Sequence, residues 1–137
     1  MVECLMCRVL VVDDQKDVRA MVCMVLRVNR FEVTEADSAK AALKAFSEGN
    51  FDAAVVDIFL QDACGFDVIA AINEQAANFP IVAVSGMTTL ESVSRAAEFP
   101  NVVCLQKPFR PAELIRAIET ARGAQQAEGR ALARLSA

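Results

Sequence analysis

Four of the five short apolar runs in this chain end at a residue able to do chemistry. Arg8–Val12 leads into Asp13-Asp14, Ala53–Val56 into Asp57, and Ile81–Val84 into Ser85-Gly86. Val102–Leu105 leads, one residue later, into Lys107-Pro108. Only the run around Phe31–Val33 has no such ending. Short β-branched runs separated by helix-length segments specify an α/β architecture. Each strand is followed by a crossover helix, so the strands lie parallel and helices cover both faces. All carboxyl ends then fall on one edge of an open sheet, where ligands bind at the topological switch point.

The segments between the runs carry helical periodicity. Val18, Met21, Val22, Val25 and Leu26 recur at helical spacing, as do Ala39, Leu43 and Phe46 after a candidate cap at Asp37. Gly49-Asn50 supplies a stop. Gly65 opens a helix with Val68, Ile69 and Ile72 inward. Leu90, Val93 and Ala97 mark a weaker helix. Pro111 suits the first turn of a last helix that buries Leu114, Ile115 and Ile118. The expectation is a (βα)₅ doubly wound five-stranded parallel sheet. One domain covers residues 1–123, and an Ala-rich tail, 124–137, either extends the last helix or is disordered.

With 137 residues, the chain can bury one core. Its hydrophobic content of 55% is high, yet no apolar run approaches the roughly 18 residues of a membrane span. The start, Met1-Val2-Glu3-Cys4, has no basic region before an apolar stretch, so a cytoplasmic location without membrane insertion is expected. A net charge of −4 without a basic cluster argues against direct nucleic-acid binding. Cys23, Cys64 and Cys104 read as small buried hydrophobes. Cys4-x-x-Cys7 has metal spacing, but there is no second cysteine pair and no histidine, so a frayed lead-in to the first strand is the better reading.

Asp13, Asp14 and Asp57 on one edge suit Mg²⁺, which takes oxygen ligands and relieves repulsion between carboxylates. Asp57, alone at its strand end, is placed to act as a nucleophile toward a phosphoryl group. Lys107 and Ser85 would neutralise and hydrogen-bond that group. Singly, each residue has a plainer role: a helix cap, a turn, a solvated surface charge. Together, at the ends of the right strands, they define a site.

On these residues the chain resembles the receiver domain of two-component response regulators, of the chemotaxis receiver type. The resemblance rests on Val11-Val12-Asp13-Asp14, Val55-Val56-Asp57-Ile58, Gly65, Val84-Ser85-Gly86 and Lys107-Pro108-Phe109, and covers about residues 7–122. It implies a flavodoxin-like sheet order of 2-1-3-4-5. It implies Asp57 as phosphoacceptor, Asp13 and Asp14 as the acidic Mg²⁺ pair, and the Phe59 carbonyl as a further ligand. Ser85 would be the hydroxyl that swings toward the phosphoryl group, and Lys107 the ammonium, with a cis peptide to Pro108. The sequence departs from the family's pattern at Leu60-Gln61 in place of Met-Pro, at Phe59 and Met87 beside the site, at Cys104 in place of an aromatic residue, and around Glu98–Asn101.

The implied function is that of a phosphoacceptor. Asp57 would take phosphate from a sensor histidine kinase, or exchange it with a histidine phosphotransfer protein, and phosphorylation would alter binding to a downstream protein. No output domain fits in the tail, so the expectation is a single-domain regulator that is no enzyme beyond its own phosphorylation and dephosphorylation. The alternatives are a phosphate sink or a phosphorylation-independent docking module. An aspartate-nucleophile phosphatase would need an Asp-x-Asp pattern at the first strand. A flavin protein would need phosphate loops that the acidic Asp13-Asp14 pair opposes.

Overall fold

The computed structural model describes residues 6–86 and 90–136, with side chains described through residue 123. The elements alternate in chain order: β1 (Arg8–Val12), α1 (Lys16–Val28), β2 (Glu32–Ala36), α2 (Ala39–Glu48), β3 (Ala53–Asp57), α3 (Gly65–Gln75), β4 (Ile81–Ser85), α4 (Leu90–Ala96), β5 (Val102–Gln106) and α5 (Pro111–Ser136). The strands form one parallel sheet in the order β2-β1-β3-β4-β5, as the resemblance implied.

Alternation along each strand divides the core in two. Val9 and Val11 of β1, Val55 of β3, and Val82 and Val84 of β4 pack with Val22, Cys23 and Leu26 of α1 and Leu114 and Ile118 of α5. Leu10, Val12, Ala54, Val56, Ile81 and Ala83 face the other way, against Ala42 of α2 and Phe66, Val68, Ile69 and Ile72 of α3. β3 is buried along its whole length because it lies mid-sheet with helices on both sides. The edge strand β5 has no fully buried residue.

Several expectations change. Cys104 is exposed and Cys64 half-buried; only Cys23 is a buried cysteine in the sense expected. Cys104 sits on an edge strand, on a face that α4 overlies without closing, so a cavity remains beside it. Met21, expected on the inward stripe of α1, is exposed. The cap of α2 is Ser38, not Asp37: the Ser38 hydroxyl accepts from the Ala41 amide at 3.1 Å. The Cys4-x-x-Cys7 spacing begins at a residue outside those described. Of the tail, residues 124–136 continue α5 as helix.

α4 differs from the other helices. None of its residues is buried, and Leu90 and Val93 are exposed. Arg95 ties it to α3: its guanidinium lies 5.1 Å from the centroid of the Phe66 ring and 3.4 Å from Asp67 Oδ1. That pairing offsets the weak apolar stripe of α4 with a cation–π contact and an ion pair.

Candidate functional site

The strand order brings the acidic residues together. β1 and β3 are neighbours, and the chain winds outward from them in opposite directions, so their carboxyl ends flank the switch point. Asp13 follows β1 directly, Asp57 is the last residue of β3, and Ser85 is the last of β4. Lys107 stands one residue beyond β5, and its amide donates to the Ser85 carbonyl at 2.8 Å, extending the β4–β5 ladder to the site.

Asp13, Asp14 and Asp57 each present a carboxylate oxygen, and the three oxygens lie within 4.8 Å of one another. Asp13 and Asp57 are buried, at 4% and 5% exposure, whereas Asp14 is half-buried. Two sequestered carboxylates beside a third repel each other, and Lys107 is the cation that reaches between them. Lys107 Nζ lies 3.5 Å from Asp57 Oδ2 and 3.6 Å from Asp13 Oδ2. These are long ion pairs, shared between two acids, and they leave the site short of positive charge. The donor set is all oxygen, anionic and clustered, which is the chemistry a hard divalent cation such as Mg²⁺ requires. Asp13, Asp14 and Asp57 fit that ion.

Burial pushes the Asp57 carboxyl above the usual aspartate range, and Asp13 adds to the rise. The Phe59 amide, which donates to Asp57 Oδ1 at 3.1 Å, and the Lys107 ammonium act in the opposite sense without cancelling it. The same amide bond fixes the rotation of Asp57 and leaves Oδ2 on the Lys107 side. Asp13 is oriented in a similar way, since its Oδ1 accepts from the Gln15 amide at 2.8 Å. The plainer role of a cap on α1 is not the one Asp13 plays: the N-cap is Gln15, without a side-chain cap bond, and the Asp13 contact closes the turn before the helix. The Lys107-Pro108 peptide is cis, as the resemblance implied.

Sequence reasoning missed three contacts around the site. Gly65, a helix start and a motif residue in the sequence, packs on the backbone beyond Asp57, and its amide donates to the Ile58 carbonyl at 2.7 Å. The Gln61 amide donates to Asp14 Oδ2 at 2.7 Å. Asp62 accepts from the Ala39 and Lys40 amides at 3.0 and 3.3 Å, satisfying the first turn of α2 from outside the helix. The glycine motif itself could have signalled the first; the other two join residues more than 20 apart and have no local signature. Met87 lies outside the described residues. Phe59 is half-exposed at the site's rim.

Beside the site, between the β4–β5 edge and α4, lies a cavity of about 220 Å³ lined by Ile58, Phe66, Ala83, Ser85, Val93 and Cys104 among others. The short Cys104 side chain does not fill it. Although Cys104 as a whole is exposed, desolvation of its thiol against the cavity pushes it above the usual thiol range, so it is a poor nucleophile at neutral pH.

The sequence profile described as "Response regulator receiver domain" matches residues 9–119. The chain belongs to the response regulator receiver domain family. The two-component response regulator ORR11 of Oryza sativa subsp. indica is 32% identical to this receiver over 111 residues, 79% of this chain and 76% of that protein. The phosphate regulon transcriptional regulatory protein PhoB of Klebsiella pneumoniae is 31% identical over 114 residues, 82% of this chain and 50% of the relative. The receiver thus spans three quarters of the first and about half of the second.

Among solved structures, the CheY-like receiver domain protein of Methanospirillum hungatei JF-1 superposes with a TM-score of 0.84, covering 90% of this chain and 99% of that one. At 23% identity that likeness shows the fold alone. TrrA of Thermotoga maritima, solved in complex with Mg²⁺-BeF, gives a TM-score of 0.77 at 25% identity, covering 85% of this receiver and 99% of TrrA. The fold and family read from the strand ends are therefore borne out. Among the described residues no helix is long and apolar enough to cross a membrane.

Proposed function

We propose that Asp57 accepts a phosphoryl group from a phosphohistidine donor, a sensor histidine kinase or a histidine phosphotransfer protein, and that the resulting phosphoaspartate alters the binding of a partner protein. The observation that carries this reading is the meeting of Asp57 with Asp13, Asp14 and Lys107 at the β1–β3 switch point. Residues 1–123 would form the phosphoaccepting unit and 124–137 an appendage to it.

The chain's own residues supply most of what the transfer needs. A carboxylate oxygen of Asp57 attacks phosphorus, the P–N bond to imidazole breaks with its electron pair going to nitrogen, and an acyl phosphate results. The Phe59 amide holds Asp57 Oδ1, leaving Oδ2 toward Lys107 as the candidate attacking atom. Lys107, released from its shared ion pairs, neutralises a phosphoryl oxygen. Ser85, at the end of β4, donates its hydroxyl to another. Mg²⁺, held by Asp13, Asp14 and Asp57 with the Phe59 carbonyl, would supply positive charge to the transferring phosphoryl oxygens. The Mg²⁺-BeF complex of the similar TrrA supports that choice of ion.

Incubation with a small acyl or amido phosphate and Mg²⁺, followed by intact-mass measurement, tests the reading. One added phosphate in the parent, lost in Asp57→Asn and in the presence of chelator, is the expected result. Undiminished labelling of Asp57→Asn at another residue would move the acceptor. No labelling of the parent by any donor, with partner binding retained, would favour a phosphorylation-independent docking module.

A further inference from the structure

We infer that the backbone N–H of Gln61 positions Asp14 for the metal, and that the β3–α3 loop is thereby strapped between the metal site and α2. The inference rests on the proposed metal site, and deepens it by naming a group that no sequence motif assigns.

The strap has two neighbouring anchor points. At one, the Gln61 amide donates to Asp14 Oδ2 at 2.7 Å, a short charge-assisted bond. At the other, Asp62 Oδ1 and Oδ2 accept from the Ala39 and Lys40 amides of α2. Consecutive residues of one exposed loop thus grip two elements more than 20 residues away in sequence. Asp13 and Asp57 need no such help. They are buried, and the Gln15 and Phe59 amides orient them from within their own turns. Asp14 is the half-buried member of the triad, and the bond that orients it comes from this loop.

A carboxylate fixed in rotation by one oxygen offers the other to a cation without first losing rotamer freedom. Hydrogen bonds to ligating carboxylates characteristically set metal affinity in this way, by roughly 10–100-fold. The N–H also places partial positive charge on a crowded anionic cluster, which helps keep Asp14 in place while the site is empty of cation. The donor is a backbone group, so any residue but proline supplies it.

The test is a Mg²⁺ titration of the full chain followed by amide chemical shifts, on the parent, Gln61→Ala and Gln61→Pro. Gln61→Ala keeps the N–H and is expected to bind Mg²⁺ within twofold of the parent. Gln61→Pro is expected to bind about tenfold more weakly, with amide shifts elsewhere in the sheet unchanged. Equal affinity in parent and Gln61→Pro overturns the inference while leaving the metal site standing. Absence of Mg²⁺ binding in the parent overturns both. Should Gln61→Pro unfold, hydrogen exchange of the Gln61 amide decides. Protection in the parent that is lost in Asp14→Ala supports the strap, and exchange at the rate of an open loop in the parent refutes it.

Discussion

Gly65 packs against the peptide that follows Asp57 so closely that a Cβ on it would lie 2.6 Å from Ile58 Cα and closer still to the Asp57 carbonyl oxygen. The neighbours are backbone, not a flexible side chain, so the chain end that carries Asp57 must itself move to admit one. Gly65→Ala is expected to destabilise by about 1–3 kcal/mol, the usual cost of overpacking. It should also slow phosphorylation by roughly tenfold or more, because Asp57 is displaced from its partners. Urea denaturation and the labelling rate measure the two effects; a variant as stable and as quickly labelled as the parent would contradict the contact.

Asp57→Asn should stabilise the metal-free protein. Burial and Asp13 raise the folded-state pKa of Asp57, so the folded protein binds this proton more tightly than the unfolded chain. Stability from this group therefore falls as pH rises from the ordinary aspartate range through the raised folded value, and the penalty is complete above it. The variant's advantage in Tm is expected to be greatest near neutral pH and to vanish in acid. Each kcal/mol corresponds to roughly 4 °C in a domain near this size. Thermal melts in chelator between acid and neutral pH check it, and an advantage that grows toward low pH has the wrong sign.

Asp62→Ala should behave oppositely. The Ala39 amide, with help from that of Lys40, holds the Asp62 carboxyl below the usual range. Its contribution is present above the unfolded-state pKa and is lost as pH falls through the lower folded value. The variant is therefore expected to melt below the parent at neutral pH and to converge with it in acid, with amide exchange faster at Ala39 and Lys40. Unchanged exchange at both amides would show that Asp62 does not cap α2.

Cys104→Phe is expected to raise stability by about 0.5–2 kcal/mol, as cavity-filling changes commonly do. The cavity of about 220 Å³ beside it has room for a ring, and Phe66, Ile58 and Val93 would line one. Chemical denaturation measures the gain. A loss of stability would mean that a ring at this edge position stays in solvent.

The Asp57 and Asp62 predictions differ in sign because burial dominates one carboxylate and helix amides the other, a distinction invisible in two identical letters. The strand ends were legible for a different reason. Short continuous apolar runs joined by crossover helices force a parallel sheet, and a parallel sheet must collect its carboxyl ends on one edge, so Asp13, Asp57, Ser85 and Lys107 were placed by pattern alone. Burial at the sheet margin was not legible. Cys104 looks like any core residue in Val102–Leu105, but it becomes exposed because β5 is an edge strand. Asp37 and Ser38 are both good caps, and backbone direction at the end of β2 chose the second.

By itself the sequence determined which residues stand at which strand end, and hence the family and the chemistry gathered at the switch point. Only the tertiary structure decided how that site is held: the Gln61 amide on Asp14, the Asp62 carboxylate on α2, Gly65 against the Asp57 backbone, and Arg95 over Phe66 beneath α4. Strand and helix patterns arise from periodicities within a few residues, which a sequence displays directly. Those contacts join segments brought together only when the sheet assembles, and all but the Arg95–Phe66 pair use a backbone group that carries no residue-specific signature.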